Sequence, residues 1–227
     1  MRALELPDLE AYAGWIESRP REVDDLLKVF SIKVTQFFRN PSFFRFLDMR
    51  VLAPLLERPR RAPLAILSAG CATGEEAYSI AMLLASRDPG GESKILATDL
   101  DRSAMAIARA ARYTKARARH IPSHLASRFL ERVSASHVQV AAEAARRVHF
   151  SVRDLFSTPR RPSYDLILCR NVLIYVDPER QMDLLQRFDR ALRPGGYLAL
   201  GRAERITGAA RETLVTVNAT ERVYRRA

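Results

Sequence analysis

Polar groups with chemical capacity stand at the ends of four apolar runs in this chain. Gly70 to Thr73 follow Leu64–Leu67, and Asp99 closes Lys94–Leu100. Asp154 closes Val148–Leu155, and Arg170 with Asn171 follow Tyr164–Cys169. Short apolar runs bounded by turn residues read as buried strands. In an open α/β sheet, ligands bind over the carboxyl ends of such strands. An acid at the tip of the second strand, here Asp99, accepts hydrogen bonds from ribose hydroxyls. The first strand breaks at Ser68-Ala69-Gly70 into a loop of small residues, Gly70-Cys71-Ala72-Thr73-Gly74, and a helix opens at Thr73-Gly74-Glu75-Glu76. The loop holds neither G-x-G-x-x-G nor G-x-x-x-x-G-K-[ST], so neither a pyrophosphate cradle nor a P-loop is present.

The elements that must position these groups follow from periodicity and turn chemistry. Residues 8–30 predict two short helices, Asp8–Glu17 and Glu22–Phe30, split by Ser18-Arg19-Pro20. Asn40-Pro41 predicts an N-cap and first-turn Pro for a third, with Phe43, Phe44, Phe46, Leu47 and Leu52 on its apolar face. The connector Arg58-Pro59-Arg60-Arg61-Ala62-Pro63 marks an expected boundary, giving a short N-terminal helical region (1–61) and a main domain (62–227). From Leu64 onward β and α alternate, which predicts a mostly parallel, doubly wound sheet. Asp101 caps one helix and Asp177-Pro178-Glu179 opens another. Tyr197–Gly201 is the fifth strand, and Leu214–Val217 with Glu221–Arg225 reads as a terminal antiparallel hairpin. Within 131–150, Val138 and Val140 with Val148 and Phe150 fit a small antiparallel insertion, and the Ala-rich middle fits a helix equally well. A ribose acid without a phosphate cradle, on a sheet closed by such a hairpin, points to S-adenosylmethionine.

Composition sets the surroundings. The chain has 227 residues, is 48% hydrophobic and carries a net charge of +11. No apolar run approaches the ~18 residues of a membrane span, and the N-terminus lacks a signal core, so a cytoplasmic protein without membrane insertion is expected. Cys71 and Cys169 have no metal-ligand spacing, so no metal site is expected and reduced, buried thiols are. Residues 102–132 concentrate charge: Arg102, Arg109, Arg112, Lys115, Arg117, Arg119, Arg128 and Arg132 against Glu131 alone. Such a surface suits an acidic partner, or is simply a solvated helix face.

Several blocks together resemble the CheR family of chemotaxis-receptor protein-glutamate methyltransferases. They are Val34-Thr35-Gln36-Phe37-Phe38-Arg39, Ser68 to Ala81, Ala97-Thr98-Asp99-Leu100-Asp101, Cys169 to Tyr175, Leu192-Arg193-Pro194-Gly195-Gly196 and Gly201-Arg202-Ala203-Glu204. The resemblance implies a Rossmann-like class I methyltransferase fold with a seven-stranded sheet. It also implies S-adenosylmethionine as cofactor and methyl esters of receptor glutamates as product. It places Thr35, Arg39, Gly70, Glu76, Asp99, Asp154, Leu155, Arg170 and Asn171 on the cofactor, and assigns catalysis to Arg39, Arg170 and Tyr175. The implied partner is the acidic helical cytoplasmic domain of a methyl-accepting receptor, met by a monomer. Against the family pattern, only 33 residues precede Val34, so a shortened N-terminal helical region is expected, and Lys33 replaces the usual Asn.

Plainer readings stand beside these. Thr73-x-x-Glu76 has the form of a capping box, Phe37 and Phe38 suit a core, and Arg39 suits an exposed loop. Tyr175 suits a packed ring. Two other functions remain open: a nucleic-acid methyltransferase, suggested by the charge, and a non-catalytic module that binds the cofactor. The first lacks the Asp/Asn-Pro-Pro-aromatic motif after the fourth strand, where Arg170-Asn171 stands instead, so nucleic acid is not the expected partner.

Overall fold

The computed structural model describes residues 7–17, 19, 35–59, 62–159, 161 and 163–227. Contacts divide the chain into two units, Met1–Val34 and Thr35–Ala227. In the first, helix α1 (Leu9–Glu17) starts behind Asp8, whose Oδ1 accepts the Ala11 N–H at 2.8 Å. The predicted helix Glu22–Phe30, the motif residues Lys33 and Val34, and Arg60-Arg61 of the connector lie outside the described residues.

The second unit begins with Thr35–Arg39 and α2 (Pro41–Leu47). A π-helical turn over Asp48–Leu52 leads into α3 (Ala53–Glu57). Pro54 has no N–H for the helical ladder. Just before it the Ala53 N–H reaches back five residues to Asp48 O, the wider π spacing. Phe43, Phe44, Leu47, Val51, Leu52 and Leu55 are buried in the same apolar cluster as Tyr78, Ile80, Met82 and Leu84. The connector 58–63 therefore joins parts of one compact unit.

The strands are β1 (Ala65–Ala69), β2 (Lys94–Asp99), β3 (Arg112–Thr114), β4 (Leu130–Arg132), β5 (His137–Val140), β6 (Val148–Val152), β7 (Tyr164–Cys169), β8 (Leu192–Leu200), β9 (Leu214–Asn218) and β10 (Val223–Arg226). Seven of them form one sheet in the order β6-β2-β1-β7-β8-β10-β9. The first five in that order run parallel and the β9–β10 hairpin is antiparallel. This is the mostly parallel, doubly wound arrangement with a terminal antiparallel hairpin that the alternation of strands and helices predicts. Alternate residues serve opposite faces. Ile66, Leu166 and Leu168 join the cluster under α4 (Glu75–Arg87), while Leu67, Ile167 and Cys169 join that under α9 (Pro178–Ala191). Helix α4 is buried from Ala77 to Ala85, because its cluster draws on the sheet and on Phe37, Phe43 and Leu47 as well. A helix covered on both sides is apolar nearly all round.

Between α5 (Arg102–Ala110) and β6 the chain builds a second, antiparallel sheet, β3-β5-β4, with short helices α6 (Lys115–Ala118) and α7 (Ser123–Phe129) inserted. Here the structure bears out the run from Val148 as a strand of the main sheet and departs from the reading that pairs it with Val138 and Val140. Val138 and Val140 pair with Tyr113, Arg132 and Leu130, whereas Val148 and Phe150 pair with Ile95 and Ala97 of β2 in the main sheet. The Ala-rich middle is helix α8 (Ala142–Ala145). Alternation marks each run as a strand, but only long-range pairing decides its partner. The last helix, α10 (Ala210–Thr213), precedes β9. Among the described residues no helix is long and apolar enough to cross a membrane.

Candidate active site

The turn after β1 is tied to β2 by its backbone. Gly70 takes φ +74°, and the N–H groups of Gly70 and Cys71 both donate to Thr98 O, at 2.8 and 3.0 Å. A Cβ on Gly70 would lie 2.4 Å from Val172 Cγ2, so the turns after β1 and β7 pass at a distance only glycine permits. Asp99 joins the neighbouring turns: Oδ2 accepts the Ala72 N–H at 2.8 Å and Oδ1 accepts the Asp101 N–H at 2.9 Å. Each carboxylate oxygen keeps a second lone pair for a ligand hydroxyl.

The capping box does not form. Thr73 Oγ1 donates to Glu75 Oε2 at 2.6 Å, and Gly74 starts the helix without a side-chain cap. Glu76 instead faces the strand ends, where its carboxylate accepts Ser68 Oγ at 3.0 Å and Arg170 Nη1 at 3.2 Å. The Arg170 side chain is only 3% exposed. Its Nη2 donates to Asn40 Oδ1 at 2.9 Å and Arg39 O at 3.4 Å, and its guanidinium lies 3.8 Å from the Phe43 ring centroid. Burial pulls the guanidinium below its usual range and Glu76 pulls it back up. Asn40, expected to cap α2, holds φ +63° and makes no cap, because its side chain serves Arg170.

The segment that carries Thr35 and Arg39 is pinned from below. The Phe38 N–H donates to Ser79 Oγ at 3.0 Å, and Phe37 packs edge-on against Tyr113 at 4.9 Å. Phe37 and Phe38 are thus core residues, as their plain reading held, and that packing holds Arg39 beside Arg170. Asn171 takes φ +60°, and the 3-10 turn Leu173–Tyr175 follows, with Tyr175 59% exposed. Asp154 is exposed and caps the 3-10 turn Leu155–Ser157, its Oδ1 accepting the Phe156 N–H at 2.9 Å; Leu155 is half-buried. Both cysteines are buried and free, and burial pushes their thiols well up.

One residue of the site carries no role in the sequence reading. Glu204, 4% exposed, accepts the backbone N–H groups of Asn171 (3.0 Å), Val172 (2.7 Å) and Leu173 (2.8 Å), and that of Gly201 as well. Its carboxylate shapes the whole turn after β7. An acid three residues past a strand-end glycine is the available signal, and it does not reveal which loop the acid holds.

The arrangement therefore joins Glu76, Arg170, Asn40 and the Arg39 backbone on one side. It joins Asp99 to the Gly70–Ala72 turn on the other. It fits S-adenosylmethionine: the glycine turn has no room for a Cβ, and buried Arg170 Nε has no hydrogen-bond partner among the described residues. The family model described as CheR methyltransferase, SAM binding domain, matches residues 33–223, which hold every one of these groups. The chain belongs to this family. It is 35% identical to an uncharacterised 104.1 kDa protein of Rhodobacter capsulatus over 90% of this chain, and spans 22% of that protein. It is 33% identical to the chemotaxis protein methyltransferase of Borreliella burgdorferi over 87% of this chain and 74% of that one. With the Escherichia coli chemotaxis protein methyltransferase it shares 32% identity, over 90% of this chain and 72% of the other. A CheR-family domain is an S-adenosylmethionine-dependent methyltransferase, which sets aside the non-catalytic reading.

Proposed function

We propose that this CheR-family methyltransferase esterifies glutamate side chains on the cytoplasmic domain of chemotaxis-type receptors. The observation that carries the reading is the polar make-up of the strand ends. They present Glu76, Arg170, Asp99, Asn171 and the Arg39 segment, and no histidine stands among them. The buried thiols stay protonated. Such a site holds an acceptor, and its carboxylates Glu76 and Asp99 are engaged by Arg170 and Ser68 and by the Ala72 and Asp101 N–H groups. A glutamate carboxylate, with a pKa near ~4.3, is already a nucleophile and needs only to be oriented.

S-adenosylmethionine, when bound, supplies a methyl group activated on a sulfonium. Asp99 accepts the ribose hydroxyls, and Asp154-Leu155 flank the adenine. Gly70, Glu76, Arg170, Asn171 and Thr35 line the remainder toward the methionine end. Arg39 and Arg170 hold the acceptor carboxylate in line and exclude competing orientations, and Tyr175 lines the transfer site. Bringing the reacting atoms to near-attack distance replaces proton transfer as the main contribution.

The acceptor docks through charge. Arg102, Arg112, Lys115, Arg119 and Arg132 are exposed and make no ion pair among the described residues, whereas Arg117 and Arg128 pair with Glu75 and Glu143. An acidic receptor helix fits that face. The enzyme acts as a cytoplasmic monomer in this reading. A labelled methyl-transfer assay against receptor cytoplasmic fragments, DNA and RNA tests it. Base-labile label on the receptor fragment alone is expected; label on DNA or RNA would replace this reading with nucleic-acid methylation.

A further inference from the structure

The small antiparallel sheet is fastened to the cofactor turn. Tyr113, on β3, donates its hydroxyl to Thr73 O at 2.6 Å. Arg117, on α6, places Nη1 3.4 Å from Thr73 Oγ1 and 3.1 Å from Glu75 Oε1. Thr73 Oγ1 closes the set on the other oxygen of Glu75 at 2.6 Å. Glu75 is fully buried, whereas the Arg117 side chain is 43% exposed. A buried carboxylate directly behind the Gly70–Gly74 turn thus has its counter-charge supplied by an insertion that lies outside the turn itself. Gly74 leaves no slack between them: a Cβ there would stand 3.0–3.1 Å from Ala108, Phe150 and the Tyr113 hydroxyl.

We propose that Arg117 is a positioning residue for the S-adenosylmethionine turn, acting through Glu75 and Thr73. With Arg117 in place, the Glu75 charge is met on both oxygens and the turn rests in one geometry. Without it, Glu75 is left buried without its counter-charge and must move toward water, which drags Thr73 and the turn with it. The role concerns the cofactor alone and does not depend on which acceptor the enzyme methylates.

Calorimetric titration with S-adenosylhomocysteine, paired with methyl-transfer kinetics, tests it on the full chain. Arg117→Ala is expected to weaken binding by roughly tenfold or more. It should raise KM for S-adenosylmethionine and leave kcat at saturating cofactor unchanged. Arg117→Lys keeps most of the affinity, because a point charge still faces Glu75. Glu75→Gln removes the charge that needs neutralising, so Glu75→Gln and the double variant Arg117→Ala/Glu75→Gln should bind within about twofold of each other, and the double variant tighter than Arg117→Ala. Should Arg117→Ala fail to fold, the comparison of Glu75→Gln with the double variant still decides. A lowered melting temperature with unchanged affinity in Arg117→Ala would overturn the proposal. So would a tenfold gap between Glu75→Gln and the double variant.

Discussion

Glu76, on the second residue of α4, reaches back over β1 to meet Arg170, the first residue past β7, at 3.2 Å between Oε2 and Nη1. That contact joins three parts of the sequence, because Arg170 also holds Asn40 and the Arg39 carbonyl. Each partner has most of its solvent removed, so the pair matters more for what its loss would strand than for its own attraction.

Removing Glu76 should therefore be costly. Glu76→Ala leaves a buried guanidinium without its counter-charge, at about 3–5 kcal/mol of stability. A residue that merely capped α4 would cost only about 1 kcal/mol. Urea denaturation separates the two, and a loss near the smaller figure would return Glu76 to a local role.

Glu204 is expected to behave as a structural anchor of the turn after β7. In Glu204→Gln the new amide brings donors against backbone N–H donors. Hydrogen bonds to a charged group are worth about 1.5–3 kcal/mol each, so a loss of at least about 3 kcal/mol is expected. Thermal denaturation measures it, and S-adenosylhomocysteine affinity should fall as well, since Asn171 loses its support.

Alkaline pH should destabilise the fold. Burial raises Cys71 first, helped by Asp99 and Glu76, and raises Cys169, helped by Glu204; burial also raises Tyr78 and Tyr113. Each group is held protonated in the folded chain. Its stabilisation is complete below the unfolded-state pKa and is lost as pH rises above it, beginning near ~8.5 for the thiols. The denaturation midpoint should fall steadily above that pH, and a thiol reagent should leave both cysteines unmodified until unfolding. Rapid labelling of the native protein would contradict this.

Receptor docking should respond to salt while cofactor binding does not. KM for the receptor fragment is expected to rise as ionic strength shortens the Debye length from about 10 Å at 0.1 M. Arg112→Glu with Arg119→Glu should raise it further and flatten the salt dependence. Salt-insensitive docking would remove the basic face from the account.

The strand ends were legible because buried strands, turn glycines and helix caps are local signals. Asp101 and Asp177 cap the helices that their positions announce. What stayed hidden depends on long-range competition for polar atoms. Asn40 has every local mark of an N-cap, yet Arg170, 130 residues away, takes its side chain. Thr73 and Glu76 have capping-box spacing, yet a buried cation draws Glu76 off and Glu75 draws Thr73. The pairing of Val138 and Val148 was ambiguous for the same reason, since each fits any strand neighbour until the sheet order is set.

The most direct test is methyl transfer to a receptor cytoplasmic fragment by Arg39→Ala at saturating S-adenosylmethionine. A fall in kcat of at least about 100-fold is expected, with the melting temperature unchanged. Full turnover in that variant would contradict it.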